Sequence, residues 1–243
     1  MFKIFNKFGK SEKTSASAII LCAGASTRFG SNKQMATVSG KTVAHRTIEV
    51  FQSSPSVKEI ILVVPKDDIK EYQDLIVVND FKKVVAIVTG GDTRQASALR
   101  GLKHVSEKAH YIAIHDGARC LITEEIIQSV LNSAIENKCA TAATRMTDTI
   151  KLSDEEGFVS KTIDREFLWS VQTPQIFEAG IYKIAAYKAK QCGFIATDDC
   201  MLAEKAGFKV KLVDVGKENI KITHPSDVLL AEQILRNRGE SSQ

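Results

Sequence analysis

AIILCAGASTRFGSNKQ, residues 18–34, is the stretch on which the reading of the fold turns. Its apolar run Ile19-Ile20-Leu21 predicts a buried strand, because branched side chains fill a pleated core surface. The run opens into Cys22-Ala23-Gly24-Ala25-Ser26-Thr27, residues small enough for a ligand to lie against bare backbone. Two cations follow, Arg28 and Lys33. A strand that ends in a small-residue loop with free N–H groups and flanking cations is a place to hold phosphates. The plainer reading of the same residues is a strand-to-helix turn with two solvated cations. Two familiar phosphate loops are excluded. G-x-G-x-x-G is absent, since Gly24 is followed by Ala25-Ser26-Thr27, and the P-loop ending Gly40-Lys41-Thr42 has Met35 where the first glycine is required.

Downstream, apolar strands alternate with amphipathic helices. Val43, Ala44, Ile48 and Phe51 keep helical spacing, and KEIILVV (58–64) reads as a strand. A helix over 67–77 and a strand over 84–88 follow, then the glycine turn TGGDTRQAS (89–97), where Asp92 or Thr93 caps a helix running to about Val105. Residues 110–114 form a strand ending in His115-Asp116-Gly117-Ala118-Arg119, and a helix opens with the acidic Thr123-Glu124-Glu125. Such alternation implies a parallel sheet covered on both faces, with ligands beyond the carboxyl ends of its strands. The loops 22–34, 89–97 and 115–119 all fall there, each carrying small residues and charge.

Past Cys139 the rhythm changes. A strand over 140–144 precedes two short runs, 149–152 and 158–162, around the polar turn Ser153–Gly157, which read as a β-hairpin. A hairpin projecting from a sheet leaves edges and apolar residues exposed, and pairing with a second subunit covers them. Thr173-Pro174-Gln175 reads as a turn back into the body. Helices over 179–191 and from Thr197, read as the N-cap, to Gly207 follow, with strands over 208–213 and 219–223. Pro225 suits a first helical position, and the last helix ends near Arg236. The organisation expected is a frayed leader (1–16), one domain (17–236) with an arm at about 144–170, and a flexible tail (237–243).

Composition narrows the function. The net charge of +4 arises from 33 basic and 29 acidic residues, and four of the lysines sit in the first thirteen positions, so no concentrated nucleic-acid face is expected. Five cysteines without a C-x-x-C pair argue against zinc ribbons and disulfide frameworks and for a reducing cytoplasm. No apolar run reaches the roughly 20 residues of a membrane span, and MFKIFNKFGK lacks the continuous apolar core of a signal peptide.

The ordered set AGxSxRFG, KQ, GGDTRQxS, HDGAR, DT, DR, QTPQ, TDD and NIKIT, spread over roughly residues 17–236, resembles the 2-C-methyl-D-erythritol 4-phosphate cytidylyltransferases of the non-mevalonate isoprenoid pathway. The resemblance implies a doubly wound α/β fold, Rossmann-like with a mostly parallel sheet, and a protruding β-arm that builds a homodimer. It implies CTP and a polyol phosphate as substrates and Mg2+ as cofactor, held mainly by the CTP phosphates near Asp116. By the same resemblance Arg28, Lys33 and Lys221 are catalytic cations. Cys22, Ala23, Gly24, Ala25 and Ser26 wrap CTP, Gly91, Asp92, Arg94 and Ser97 contact its cytidine, and Asp116 and Gly117 lie near the ribose and α-phosphate. Asp116, Arg119, Thr173, Thr197 and Lys221 line the acceptor region, while Thr149 and Arg165 reach the acceptor phosphate in the partner's site.

The chain departs from the family pattern at Asn32, Met35 and Cys120 and in a shorter Arg28–Lys33 loop. None of these removes a charge. The sister ribitol-5-phosphate cytidylyltransferases share the CTP loop, but Asp164-Arg165, Leu168-Trp169 and Gln172–Gln175 resemble the methylerythritol enzymes more. A non-catalytic nucleotide-binding regulator would have no need of Arg28, Lys33 and Lys221 together.

Overall fold

The computed structural model describes residues 15–24, 28–30 and 32–240. The chain begins with β1 (Ala16–Leu21), a small ribbon of β2 (Thr37–Val38) and β3 (Lys41–Thr42), and helix α1 (Val43–Ser53). Then β4 (Val57–Val64), α2 (Ile69–Val78), β5 (Val84–Thr89), α3 (Arg94–Leu102), β6 (Tyr111–Asp116) and α4 (Glu124–Asn137) alternate. β7 (Cys139–Arg145) leads into the hairpin β8 (Ile150–Ser153) and β9 (Val159–Ile163), and β10 (Trp169–Glu178) returns from it. The described fold closes with α5 (Ala179–Gln191), α6 (Asp199–Lys205), β11 (Lys211–Asp214) and α7 (Ser226–Asn237).

Seven strands make one sheet in the order β11-β7-β10-β6-β1-β4-β5. β10 alone runs against the other six. The chain starts at the centre with β1, winds outward through β4 and β5, and then crosses to the other side of β1 with β6. The carboxyl ends of β1 and β6 therefore flank the switch point, the crevice where doubly wound sheets receive ligands.

Strand periodicity sends alternate side chains to opposite faces. Ile20, Ile60 and Leu62 join Ala44, Ile48 and Phe51 of α1, Tyr72 of α2, and Ile127 and Leu131 of α4 in one buried layer. Ile19, Ile61, Val63, Ile112 and Ile114 face the other way, onto Ala98 and Leu102 of α3, Tyr182 and Ala185 of α5, and Leu202 of α6. α7 closes a third, smaller cluster by packing Ala231 and Leu235 against Val38, Val43 and Ile222. Burying each large apolar side chain removes about 1.5–3 kcal/mol of unfavourable hydration, so the two layers hold the sheet, and the loops at its rim are left to chemistry.

Four local expectations are corrected. Thr173-Pro174-Gln175 is no turn but the middle of β10; the ladder to β7 slips between Val171 and Gln175, which accommodates a residue with no N–H to give. Residues 219–223 make no strand, because the Ile222 N–H bonds to the Ala118 carbonyl (2.8 Å) and the Asn219 carbonyl accepts from Arg119 Nη1 (2.8 Å). Asp198, not Thr197, caps α6, its Oδ1 accepting from the Met201 N–H at 2.9 Å. β1 begins at Ala16, one residue inside the expected leader. The rest of that leader, residues 1–14, and residues 241–243 of the tail lie outside the described residues.

Candidate active site

The floor of the crevice is set by how closely β1 and β6 end together. Leu21 pairs with Asp116, and the Gly117 N–H donates to the Leu21 carbonyl at 2.9 Å. A Cβ on Gly117 would lie 2.4 Å from Cys22 Sγ, so only glycine lets the two strand ends meet. The third wall comes from α3, whose Thr93 Oγ1 accepts from the Ala96 N–H at 3.0 Å. The turn before it is folded back by the Gly91 N–H donating to Ser97 Oγ at 3.0 Å. These elements enclose a cleft of about 460 Å³.

Four cations, Arg28, Lys33, Arg94 and Lys221, line that cleft against two carboxylates, Asp92 and Asp116. Asp116 is the hub. Its Oδ2 accepts from Lys221 Nζ at 2.8 Å, its Oδ1 from Arg94 Nε at 3.1 Å, and Arg119 Nε stands 4.0 Å behind. Burial by itself would raise the carboxyl's pKa, but the facing Arg94 and Lys221 charges outweigh it and hold Asp116 well below the usual carboxylate range. Arg94 also reaches the buried Asp199, whose other oxygen accepts from the Tyr182 hydroxyl at 2.6 Å. Burial, then the neighbouring Lys221, lowers the pKa of Lys33 from the ordinary lysine value. Four cations lining one cleft with only two carboxylates make a site that a polyanion would stabilise.

His115 is not placed to act as a general base in the cleft. His115 is fully buried, and that burial pushes its pKa down to about 3. The neutral Nε2–H tautomer fits its surroundings: Nε2 lies 3.4 Å from the Arg119 carbonyl, and Nδ1 lies 3.1 Å from Thr173 Oγ1. That same Thr173 oxygen accepts from the Asp116 N–H at 3.0 Å, so the histidine fixes the backbone of the hub.

Arg28, Lys33, Ala23, Gly24, Gly91, Asp92, Arg94, Ser97, Asp116 and Lys221, dispersed over two hundred residues, are brought to one cleft. Ala25 and Ser26 lie outside the described residues. Cys22 offers the cleft no donor: its N–H bonds to the Val63 carbonyl at 2.7 Å, and burial pushes its thiol up to about 12. Gly117, Arg119 and Thr173 sit behind the floor, where they support Asp116. Thr197 is exposed and outside the cleft, its hydroxyl 3.8 Å from Met201 Sδ. Thr149 and Arg165 are exposed at the base of the arm and do not line the cleft of their own chain.

Residue-by-residue reading missed the support layer. Gln34 lines the cleft, and its buried Oε1 has no hydrogen-bond partner among the described residues. Gln175 Oε1 accepts from the Asp199 N–H at 2.9 Å, and its Nε2 donates to Asp198 at 2.8 Å. Asn219 Nδ2 donates to Gln172 Oε1 and to the Thr173 carbonyl, both at 2.9 Å. The motifs KQ, QTPQ, TDD and NIKIT carried the signal, since each holds one of these residues.

A profile of the 2-C-methyl-D-erythritol 4-phosphate cytidylyltransferases matches residues 16–237, nearly the whole of the described fold. The chain belongs to this family. The cytidylyltransferase of Caldanaerobacter subterraneus is 41% identical over 223 residues, covering 90% of this chain and 98% of its own. That of Dehalococcoides mccartyi is 42% identical over 220 residues, covering 90% and 95%. Among solved structures, the 4-diphosphocytidyl-2C-methyl-D-erythritol synthase of Anaerococcus prevotii superposes with a TM-score of 0.82 at 31% identity, over 92% of this chain and 99% of its own. The Thermus thermophilus cytidylyltransferase gives 0.75 at 29%, over 91% and 99%. Membership of the cytidylyltransferase family makes the chain a nucleotidyltransferase, and it fits the cationic cleft at the switch point.

Proposed function

We propose that this cytidylyltransferase joins CMP from CTP to 2-C-methyl-D-erythritol 4-phosphate, releasing pyrophosphate and giving 4-diphosphocytidyl-2-C-methyl-D-erythritol for isoprenoid synthesis. The observation that carries the reading is the set of four cations converging with Asp116 at the switch point. An oxygen of the acceptor phosphate attacks the α-phosphorus, the bond to the β-phosphate breaks, and pyrophosphate takes its electrons. A phosphate monoester has its second pKa at about 6 and is mostly dianionic at neutral pH, so no base is needed. That agrees with a buried neutral His115. The barrier lies in bringing two polyanions together, and Arg28, Lys33 and Lys221 stabilise the charge that builds around phosphorus.

Mg2+ fits this site only through the substrate. Among the described residues no three His, Cys, Asp or Glu gather to hold a metal, and both oxygens of Asp116 are engaged by cations. A magnesium ion bound mainly by triphosphate oxygens, with Asp116 nearby, suits that donor set and would neutralise phosphate charge.

The arm supports a homodimer. Leu152, Phe158, Val159 and Phe167 are exposed along it, Phe158 by 73% and Phe167 by 77%, an apolar surface that a second copy would cover. In that assembly Thr149 and Arg165 would bind the acceptor phosphate in the partner's site. None of the described helices is long and apolar enough to cross a membrane. A cytoplasmic setting suits the five unpaired cysteines, four of them buried.

Pyrophosphate release with CTP and each of two acceptors tests the reading. Turnover with 2-C-methyl-D-erythritol 4-phosphate, and little with ribitol 5-phosphate, is expected; the reverse preference would assign the chain to ribitol phosphate, and no release with either would sink it.

A further inference from the structure

Lys221 reaches Asp116 from a stretch without regular structure. Residues 215–225, between β11 and α7, belong to neither helix nor strand, so contacts with the rest of the fold must hold their backbone. On the carboxyl side of Lys221, the fully buried Ile222 donates its N–H to the Ala118 carbonyl at 2.8 Å, and the Thr223 N–H donates to Asp227 Oδ2 at 2.7 Å. On the amino side the anchor is Asn219, also fully buried. Its carbonyl accepts from Arg119 Nη1 at 2.8 Å, and its Nδ2 donates to Gln172 Oε1 and to the Thr173 carbonyl, both at 2.9 Å. Its Oδ1 is buried with no hydrogen-bond partner among the described residues, so what the side chain contributes is the pair of bonds from Nδ2.

Those bonds close a ring around the hub. Thr173 Oγ1 accepts from the Asp116 N–H at 3.0 Å, Asp116 Oδ2 accepts from Lys221 Nζ at 2.8 Å, and Asn219 ties the segment of Lys221 back to Thr173. Both members of the ion pair are thereby placed relative to one residue of β10. A lysine ammonium rides on a flexible four-carbon stem, and the Lys221 side chain is 38% exposed, so core packing does not grip it. Its reach is set by where its backbone is pinned.

We propose that Asn219 is a positioning residue that holds Lys221 in register with Asp116, so that its loss slows the chemical step more than it weakens substrate binding. The proposal rests on the cytidylyltransferase reading and deepens it. Lys221 lines the cleft by the geometry of the fold itself. Removing the Asn219 amide keeps all four cations and both carboxylates of the cleft, and keeps the Arg119 and Ile222 anchors, so affinity for the substrates changes little. It frees the amino side of the segment from Thr173, and Lys221 then ranges over several positions where the reaction needs one.

Asn219→Ala, with Asn219→Ser as the milder variant, is assayed by pyrophosphate release with CTP and 2-C-methyl-D-erythritol 4-phosphate, each varied in turn, at a temperature where melting shows every sample folded. A fall in kcat on the order of tenfold is expected, with both KM values within about threefold of wild type. The deciding measurement repeats the substitution in a Lys221→Gln background, which keeps the length of the side chain and loses its charge. If Asn219 acts through Lys221, kcat there should change by less than about twofold, a non-additivity that a general loss of stability does not produce. An equal fall in both backgrounds, or an unchanged kcat with Lys221 intact, would make Asn219 a plain stabilising contact and overturn the proposal. Wild-type enzyme inactive with every polyol phosphate defeats the cytidylyltransferase reading instead.

Discussion

Gly117→Ala puts the geometry of the cleft floor to the hardest test. The added Cβ would stand 2.4 Å from Cys22 Sγ and 3.2 Å from the Leu21 carbonyl, where ordinary contacts begin at 3.4 Å, so the sulfur must give way by about 1 Å. It has little room to do so, because Cys22 is fully buried and its N–H is tied to Val63. Overpacking of this kind costs about 1–3 kcal/mol, which lowers the melting temperature by about 4–8 °C at the midpoint for a chain of this size. The strain acts on the residue next to Asp116, so the hub shifts relative to Lys33 and Lys221; a misplacement near 1 Å can cost about a hundredfold in rate. Thermal melting and pyrophosphate release measure the two effects on the same samples. Cys22→Ala removes the obstructing sulfur, so the double variant should regain most of both losses, a non-additivity that only direct contact produces. Gly24→Ala is the contrast. Among the described residues nothing lies within 4 Å of its Cβ position, so its melting temperature should stay near the wild-type value while KM for CTP rises, as expected if the methyl enters a loop that binds the nucleotide. Gly117→Ala with wild-type melting and turnover, or a double variant no better than the single, would refute the reasoning about the floor.

Lys33→Ala should lower kcat by about a hundredfold or more with the fold intact, and near-normal turnover would remove Lys33 from the mechanism. The same lysine has a pKa held down by burial and by Lys221 in the free enzyme, and a bound triphosphate raises it. CTP binding in alkaline buffer should therefore take up protons and weaken as pH climbs through the free-enzyme pKa; calorimetry in buffers of different ionisation enthalpy that shows no uptake contradicts this. Asp116 has a folded-state pKa below its unfolded value, so its contribution to stability is present above the unfolded pKa near 4 and is lost as pH falls. Asp116→Asn should accordingly flatten the acid limb of the stability curve and leave activity badly impaired; an unchanged acid limb would show that the hub adds nothing to folding. Thr149→Ala and Arg165→Ala should chiefly raise KM for the polyol phosphate, and an unchanged KM would reduce both residues to structural parts of the arm.

The strand-and-helix order was legible because each element announces itself locally. Ile19-Ile20-Leu21 and the run 58–64 are apolar on both faces, as strands covered on two sides must be, and Thr93 and Thr123 cap helices where they stand. The misreadings share one cause. Pro174 punctuates a chain in isolation, yet β10 absorbs it at a slip in the ladder, and the apolar alternation of 219–223 is used for docking on Arg119 and Ala118 instead of pairing. Thr197 and Asp198 are equally able caps by composition, and Gln175 decided between them by binding Asp198 from across the molecule. In each case a contact distant in sequence overrode a local preference.

The sequence by itself determined that this is a doubly wound sheet with three small-residue, charged loops at one rim, and its ordered motifs pointed to a cytidylyltransferase. Those properties follow from hydrophobic period, capping residues and motif order, all local in the chain. Only the tertiary structure decided that Asp116 is the charge to which Arg94 and Lys221 converge, from 22 and 105 residues away. It also decided that Cys22 and Gly117 serve the floor by packing, and that Asn219 ties the segment carrying Lys221 to Thr173. Coulombic attraction and hydrogen bonding depend on separation in space, and that separation is fixed only when the packed layers place the strand ends side by side.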